Sequence, residues 1–231
     1  MDRKFYREYM ALSAGLLMLV MAVVMAFNWI SSPSFAIDES AKKIIVIDAG
    51  HGGEDGGAVS VTGVAESHYN LLIATTLNDL LQLLGYDTHM LRTDDSDLHT
   101  EGKTIAQRKV SDLRQRVSAV NKLDNAILIS IHQNFFTDSR YSGLQTFYHS
   151  NDSKQLAQDI QAAYKTHILP STRRLAQHKS SIYLLENVNC PAVLVECGFL
   201  SNAEEENRLS DTNYRIKLAA IIAQPLIKRL S

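Results

Sequence analysis

Ile44-Ile45-Val46-Ile47-Asp48-Ala49-Gly50-His51-Gly52-Gly53 runs from a β-branched stretch into a glycine-rich turn that carries a histidine. Two later stretches repeat the pattern: Ile127-Leu128-Ile129-Ser130-Ile131-His132-Gln133-Asn134 and Ala192-Val193-Leu194-Val195-Glu196-Cys197-Gly198-Phe199. Each opens as an almost continuous apolar run, the signature of a strand buried on both faces of a largely parallel sheet. Each then delivers a His or a Glu at its C-terminal end, where open α/β sheets gather their sites. Two histidines and a carboxylate so placed suggest zinc hydrolase chemistry.

Working outward, strands and helices alternate. Glu66 to Leu84 has helical spacing, with Leu71, Leu72, Leu77, Leu80, Leu81 and Leu84 in an apolar stripe and Gly85 at the stop. The pattern predicts a strand over Tyr86 to Leu91, a polar loop from Arg92 to Lys109, and a helix from Val110 to Lys122. Further strands are expected at Gly143 to Tyr148 and Ser181 to Leu185, with helices over Asp152 to Ile168 and Asp211 to Leu230. The fold class expected is α/β: a single three-layer domain with a mostly parallel central sheet and helices on both faces, preceded by an N-terminal hydrophobic helix.

That helix comes from the other end of the composition. No charged residue occurs between Met10 and Phe27, and the run continues to Ile30. Its length suits a bilayer span of about 20 residues. Arg3, Lys4 and Arg7 precede it, and Ser34-Phe35-Ala36 offers small residues for signal cleavage. Residues 1–36 are therefore read as a cytoplasmic tip, a signal or anchor helix and a linker, and residues 37–231 as the catalytic domain. The expected location is extracytoplasmic, either membrane-anchored or secreted. A chain of 231 residues with a formal net charge of −2 has no electrostatic footprint for nucleic acid. Cys190 and Cys197 are seven apart on one apparent strand and would face opposite ways, so no disulfide is expected.

Taken residue by residue, the chemistry has alternatives. Gly50 to Gly57 superficially suits a dinucleotide, but Asp55 occupies the position of the third fingerprint glycine and acidic residues would repel a pyrophosphate. The glycines are better read as letting the backbone fold tightly around an exposed His51. His132 gains weight from Asn134, two residues on along the same strand and able to bond a substrate. Glu66 is by itself an ordinary first-turn carboxylate, favoured there by the helix dipole. Glu196 is the sharpest signal, because its burial in an apolar run demands compensation by a metal, a histidine, a substrate or an arginine. Cys197 beside it reads either as a nucleophile or as a small buried apolar residue.

Four motifs in order are similar to the zinc-dependent N-acetylmuramoyl-L-alanine amidases: Ile47 to Gly53, Glu66 with Asn70-Leu71, Ser130 to Asn134, and Val195 to Asn202. The resemblance runs from about Lys43 to Leu230. It implies Zn2+ as cofactor with His51, Glu66 and His132 as ligands, Glu196 as the catalytic carboxylate, and Asn134 at the substrate. It implies hydrolysis of the amide between the lactyl group of N-acetylmuramic acid and L-alanine of the stem peptide. Thr104 to Leu113, the lack of wall-binding repeats and the N-terminal segment look like the spore-cortex amidases of endospore formers, which act with a deacetylase to make muramic-δ-lactam. The stretch from His132 to Glu196 shows no spare helix of the kind that plugs some cell-division amidases.

The expected partners are peptidoglycan or cortex strands with their stem peptides, the membrane through the N-terminal helix, and an activating protein that could order the loop from Arg92 to Lys109. A vegetative cell-wall or cell-separation amidase, and a non-catalytic zinc-dependent peptidoglycan-binding module, are the competing readings. A nucleotide-binding α/β protein is opposed by the loop acids.

Overall fold

A computed structural model describes residues 43–230. The apolar helix expected before residue 31, and the boundary at residues 36 and 37, lie outside the described residues. None of the described helices is long and apolar enough to cross a membrane.

The three apolar runs form the middle of a six-stranded sheet. They are β1 (Ile44–Ala49), β3 (Ala126–Asn134) and β6 (Ala192–Phe199), adjacent and parallel in the order β1, β3, β6. β2 (Thr88–Met90) extends the sheet in parallel beyond β1. On the other side β4 (Gln145–Tyr148) runs antiparallel to β6, and β5 (Gln177–His178) pairs parallel with β4. One antiparallel pairing makes the sheet mixed, within the mostly parallel architecture expected.

Both faces are covered, which is why the central strands carry no polar alternation. On one face lie α1 (Glu66–Leu83), α3 (Asn151–His167) and α6 (Thr212–Leu230), whose Ile73, Leu77, Ile160, Tyr164, Leu218 and Ile222 pack with Ile45, Ile47, Ile129 and Val195. The opposite face is closed by α2 (Ile105–Asn121) and the short α4 (Tyr183–Asn187), through Val120, Leu184 and Leu185 against Val46, Leu128 and Leu194.

Three local expectations need correction. α2 begins at Ile105 rather than Val110, because Thr104 and Gln107 form a reciprocal capping box that satisfies the helix's first amides. The segment Ser181 to Leu185 is not a strand: residues from Tyr183 turn into α4, and the edge strand lies earlier, at Gln177–His178. A short apolar run carries no period long enough to separate the two states. Finally, α5 (Ala203–Ser210) was not anticipated; Asn202 caps it by accepting from the amides of Glu204 and Glu205.

The loop from Arg92 onward is also less free than its polarity suggests. The Leu98 amide donates to Asp112 Oδ1 at 2.7 Å and the Thr100 amide to Ser111 Oγ at 3.2 Å, tying the loop to α2. Arg92 itself is buried. Its Nε donates to the Ala49 carbonyl at 2.7 Å, its Nη2 to the carbonyls of Gly50 (3.1 Å) and Ser67 (2.9 Å), and its Nη1 to that of Asp94 (2.7 Å).

A second guanidinium approaches the same turn from α2. Arg116 is 2% exposed and ion-paired with Asp48, itself 1% exposed on β1. It also pairs with Asp112 at 2.7 Å and donates to the carbonyls of Ala49 (3.0 Å) and His51 (2.7 Å). Ser130 Oγ donates to Asp48 Oδ2 at 2.6 Å, so the free side of the carboxylate is filled from β3. Burial works against ionised Asp48, but the Arg116 charge and these bonds overcome it and hold its pKa below the usual 3.8. Removing one partner of a buried pair strands the other charge, at a cost of about 3–5 kcal/mol. Arg116→Met is accordingly expected to lose stability on that scale in urea unfolding at pH 7. Because the folded-state pKa of Asp48 is depressed, its contribution is present above 3.8 and fades as pH falls through the lower folded value. The stability gap between the parent and Asp48→Asn should therefore narrow in acid; a gap constant with pH would contradict the assignment.

Candidate active site

The turn held by the two arginines is tight. His51 adopts φ 61°, a left-handed conformation uncommon for a residue with a Cβ, followed by Gly52 and Gly53, also at positive φ. This aims the His51 ring back across the C-terminal end of the sheet instead of letting it continue β1. At Gly50 a Cβ would lie 2.2 Å from His132 Cε1, and at Gly57 a Cβ would lie 2.5 Å from Glu66 Oε2. Glycine at those positions lets the loop close on both side chains.

Glu66 opens α1 and is buried at the centre of this convergence. Its Oε2 stands 3.3 Å from His51 Nε2, and its Oε1 2.9 Å from His132 Nδ1. The two imidazoles meet edge to face, with centroids 5.0 Å apart. One ligand-type atom from each of His51, Glu66 and His132 lies within 4.8 Å of the others, so the three could hold a metal ion together. The sequence separates them widely; the parallel register β1–β3 and the position of α1 bring them together.

The surroundings fix each group. His51 Nδ1 bonds Asp55 Oδ2 at 2.9 Å, which leaves Nε2 to face Glu66, and Lys109 Nζ pairs with Asp55 Oδ1 at 2.7 Å. Glu66 accepts from the amides of Ala58 (3.0 Å) and Gln133 (3.1 Å) and from Asn70 Nδ2 (3.2 Å), and Asn70 also donates to the Gly50 carbonyl at 3.0 Å. The supporting roles of Asp55, Asn70, Gln133 and Lys109 were not read from the sequence, although Asn70 stands in the motif with Glu66 and Asp55 in the glycine loop. Only Asn70 carried a signal, one turn after Glu66 on the same helix face.

Charge in the cluster favours a cation. Burial opposes a proton on His51, yet its bonds to Asp55 and Glu66 outweigh that and raise its pKa to about 9. Burial likewise opposes ionised Glu66, but the bonds to His132 and His51 hold it well below the ordinary carboxylate range. Two imidazoles and a carboxylate are the donor set of catalytic zinc sites that keep a further position open. The electrostatic demand that favours a proton here would equally favour a metal ion, so the residues fit one.

Glu196 stands opposite His132 in the β3–β6 register, on the same sheet face. It forms no ion pair with any arginine among the described residues, and its Oε2 is buried with no hydrogen-bond partner. Burial pushes its carboxyl up to about 7 against the pull of His132; the charge of Glu66 adds to the rise and His51 opposes it. A carboxylate with one buried, unpartnered oxygen and a pKa raised to about 7 beside a polar cluster is the arrangement expected of an acid–base group.

Asn134 lies past a register shift in the β3–β6 pairing, where it pairs with Phe199, and its Oδ1 accepts from the Phe135 amide at 2.9 Å. β6 advances three residues there to the two of β3, so the extra residue lies in β6 and Asn134 stays two residues beyond His132 along β3. Cys197 is fully buried, and burial, with the charge of Glu196, pushes its thiol far up, which removes it as a nucleophile. Cys190 and Cys197 are both free.

Residues 45–228 match the N-acetylmuramoyl-L-alanine amidase family of the Amidase_3 type. The germination-specific N-acetylmuramoyl-L-alanine amidase of Bacillus subtilis is 39% identical over 189 residues, 80% of this chain and 79% of the relative. Among solved structures, the CwlD amidase of Clostridioides difficile in complex with the GerS lipoprotein superimposes with a TM-score of 0.78 at 38% identity, covering 82% of this chain and 98% of that one. An N-acetylmuramoyl-L-alanine amidase of Clostridium difficile 630 gives a TM-score of 0.72 at 30% identity, with 82% and 97% covered. With the site geometry, these likenesses establish that the chain belongs to the N-acetylmuramoyl-L-alanine amidase family.

Proposed function

We propose that His51, Glu66 and His132 hold a zinc ion and that Glu196 moves the proton in hydrolysis of the amide joining the lactyl group of N-acetylmuramic acid to L-alanine of the stem peptide. The family establishes the chain as an N-acetylmuramoyl-L-alanine amidase acting on peptidoglycan. The observation that carries the residue assignment is the buried, unpartnered Glu196 Oε2 beside the His-Glu-His cluster.

Zinc, when bound, supplies Lewis acidity, polarising a carbonyl and making water acidic near neutral pH. The chain supplies the rest. Glu196 takes the proton from the attacking water as its oxygen bonds to the carbonyl carbon, and delivers it to the nitrogen as the C–N bond breaks. Its pKa of about 7 suits both halves of that exchange. Asp55 and Lys109 keep the His51 ring in one orientation, and Asn70 and Gln133 do the same for Glu66, so the ligand set is built before substrate arrives. A peptidoglycan-binding module would have no use for a carboxylate kept unpartnered at this position.

The proposal extends to setting. The germination-specific relative supports a role in the spore, and the resemblance to spore-cortex amidases extends the proposal to the steps that form muramic-δ-lactam. The apolar run from Met10 to Ile30 supports membrane attachment with residues 37–231 outside the cytoplasm. A protein partner belongs to the same reading, since the C. difficile amidase was solved with a lipoprotein. Loss of the gene product should deplete muramic-δ-lactam from cortex muropeptides resolved by chromatography; an unchanged profile would move the enzyme out of the cortex.

Glu196→Gln keeps the shape and cannot accept a proton, so turnover should fall by roughly 10²–10⁴-fold while zinc remains bound. His51→Ala and His132→Ala should lose zinc and activity together, measured by elemental analysis and by release of free alanine α-amino groups from purified sacculi. Stoichiometric zinc in either histidine variant would remove that residue from the ligand set.

A further inference from the structure

Beyond the cluster, β4 leads into a second feature. Gln145 faces Glu196 across the antiparallel β4–β6 pairing, so the two side chains share one face of the sheet. Gln145 Oε1 accepts from Arg174 Nη1 at 3.3 Å, and Arg174 Nε donates to the Ser142 carbonyl at 2.9 Å. The guanidinium is thereby fixed in orientation, and it lies 4.5 Å above the ring of fully buried Phe199. Gln145, Arg174 and Arg173 line one open cavity of about 580 Å³, with Tyr141 on its wall.

No carboxylate among the described residues bonds to Arg174, whose polar contacts are with Ser142 and Gln145. Among the described residues neither Arg173 nor Arg174 forms an ion pair, whereas Arg140, on the rim of the same cavity, is bonded to Asp138. Glu205 is near enough to act on Arg174 electrostatically, but its oxygens are occupied by the Gly143 amide at 2.7 Å and by Arg208. A half-buried, pre-oriented guanidinium with free donors and no bonded anion is built for a planar carboxylate. Its place, one side chain beyond the neighbour of Glu196, corresponds to a distance on the order of 10 Å, or two to three residues of extended peptide.

We infer that Arg174, with Arg173 adding to the field, forms a subsite that binds a free carboxylate of the stem peptide two or three residues from the cleaved amide. The inference rests on the amidase reading and adds the determinant of peptide charge. Gln145 acts as the spacer that ties the subsite to the strand carrying Glu196. Phe199 and Tyr141 supply ring faces for the cation and lower its exposure to water, which strengthens its attraction for an anion.

The test uses two synthetic muramoyl peptides that differ only in having the stem carboxylates free or converted to carboxamides, with the zinc-loaded protein. The parent should cleave the acidic peptide with a KM roughly ten- to a hundredfold lower than that of the amidated one, the range for a charge-assisted bidentate contact. Arg174→Gln should raise KM for the acidic peptide and erase the preference between the two peptides. Arg174→Lys, which keeps the cation, should retain part of the preference even if the glutamine variant folds poorly. Arg140→Gln, whose arginine is already paired, should behave as the parent. Equal KM values for the two peptides in the parent, or an equal loss on both in Arg174→Gln, would overturn the subsite. Failure of the parent to cleave either peptide would instead overturn the amidase reading, and the subsite with it.

Discussion

Two buried guanidinium groups meeting at one turn hold the rest of the site in place. Arg116 reaches from α2 and Arg92 from the loop after β2, and between them they take the carbonyls of Ala49, Gly50 and His51. Those carbonyls point inward because the backbone at His51 turns left-handed, and inward carbonyls without donors would be costly. The cations are in turn tolerable only because Asp48 and Asp112 neutralise Arg116. Strain at His51, burial of Asp48 and the presence of both arginines are thus one device. Removing any one part leaves a buried charge or carbonyl of another without its partner.

What this device secures is a site whose polar groups divide into two kinds. Glu66 is saturated, with two amides, an asparagine and two imidazoles around its two oxygens. Glu196, a few ångströms of sheet away in register, keeps one oxygen bare. The two glutamates therefore sit at opposite ends of the carboxylate range, one held far down and the other raised toward neutrality. Two like groups with divergent environments can divide the labour of holding a cation and moving a proton.

Much of this was legible in the chain and some was not, for identifiable reasons. The central strands could be read because β1, β3 and β6 are apolar on both faces, so a histidine or glutamate at their ends stands out against the run. Glu66 could not be found by such contrast: a carboxylate in a helix's first turn is ordinary, and only the resemblance to a family marked it. Arg116 was invisible for a related reason, since an arginine on a polar helix looks solvated until the opposing strand is seen to carry Asp48. The segment from Ser181 misled because a few apolar residues fit a strand or a turn of helix equally. The start of α2 was hidden in what reads as a polar loop, although Thr104 and Gln107 had the spacing of a cap.

The parallel pairing of β3 with β6 has a consequence for how the protein matures. His132 meets Glu196 only if β3 and β6 pair in parallel with no slip, and these strands are joined by a long excursion through β4, α3, β5 and α4. Parallel pairings across such excursions are late and slow events, because the loop entropy must be surrendered before the contacts reward it. A slip of one residue in either strand would leave the two side chains on opposite faces of the sheet. The proximity of these two residues is thus a check on the whole topology: a chain that has collapsed without completing its central pairing has all the residues of the site and no site.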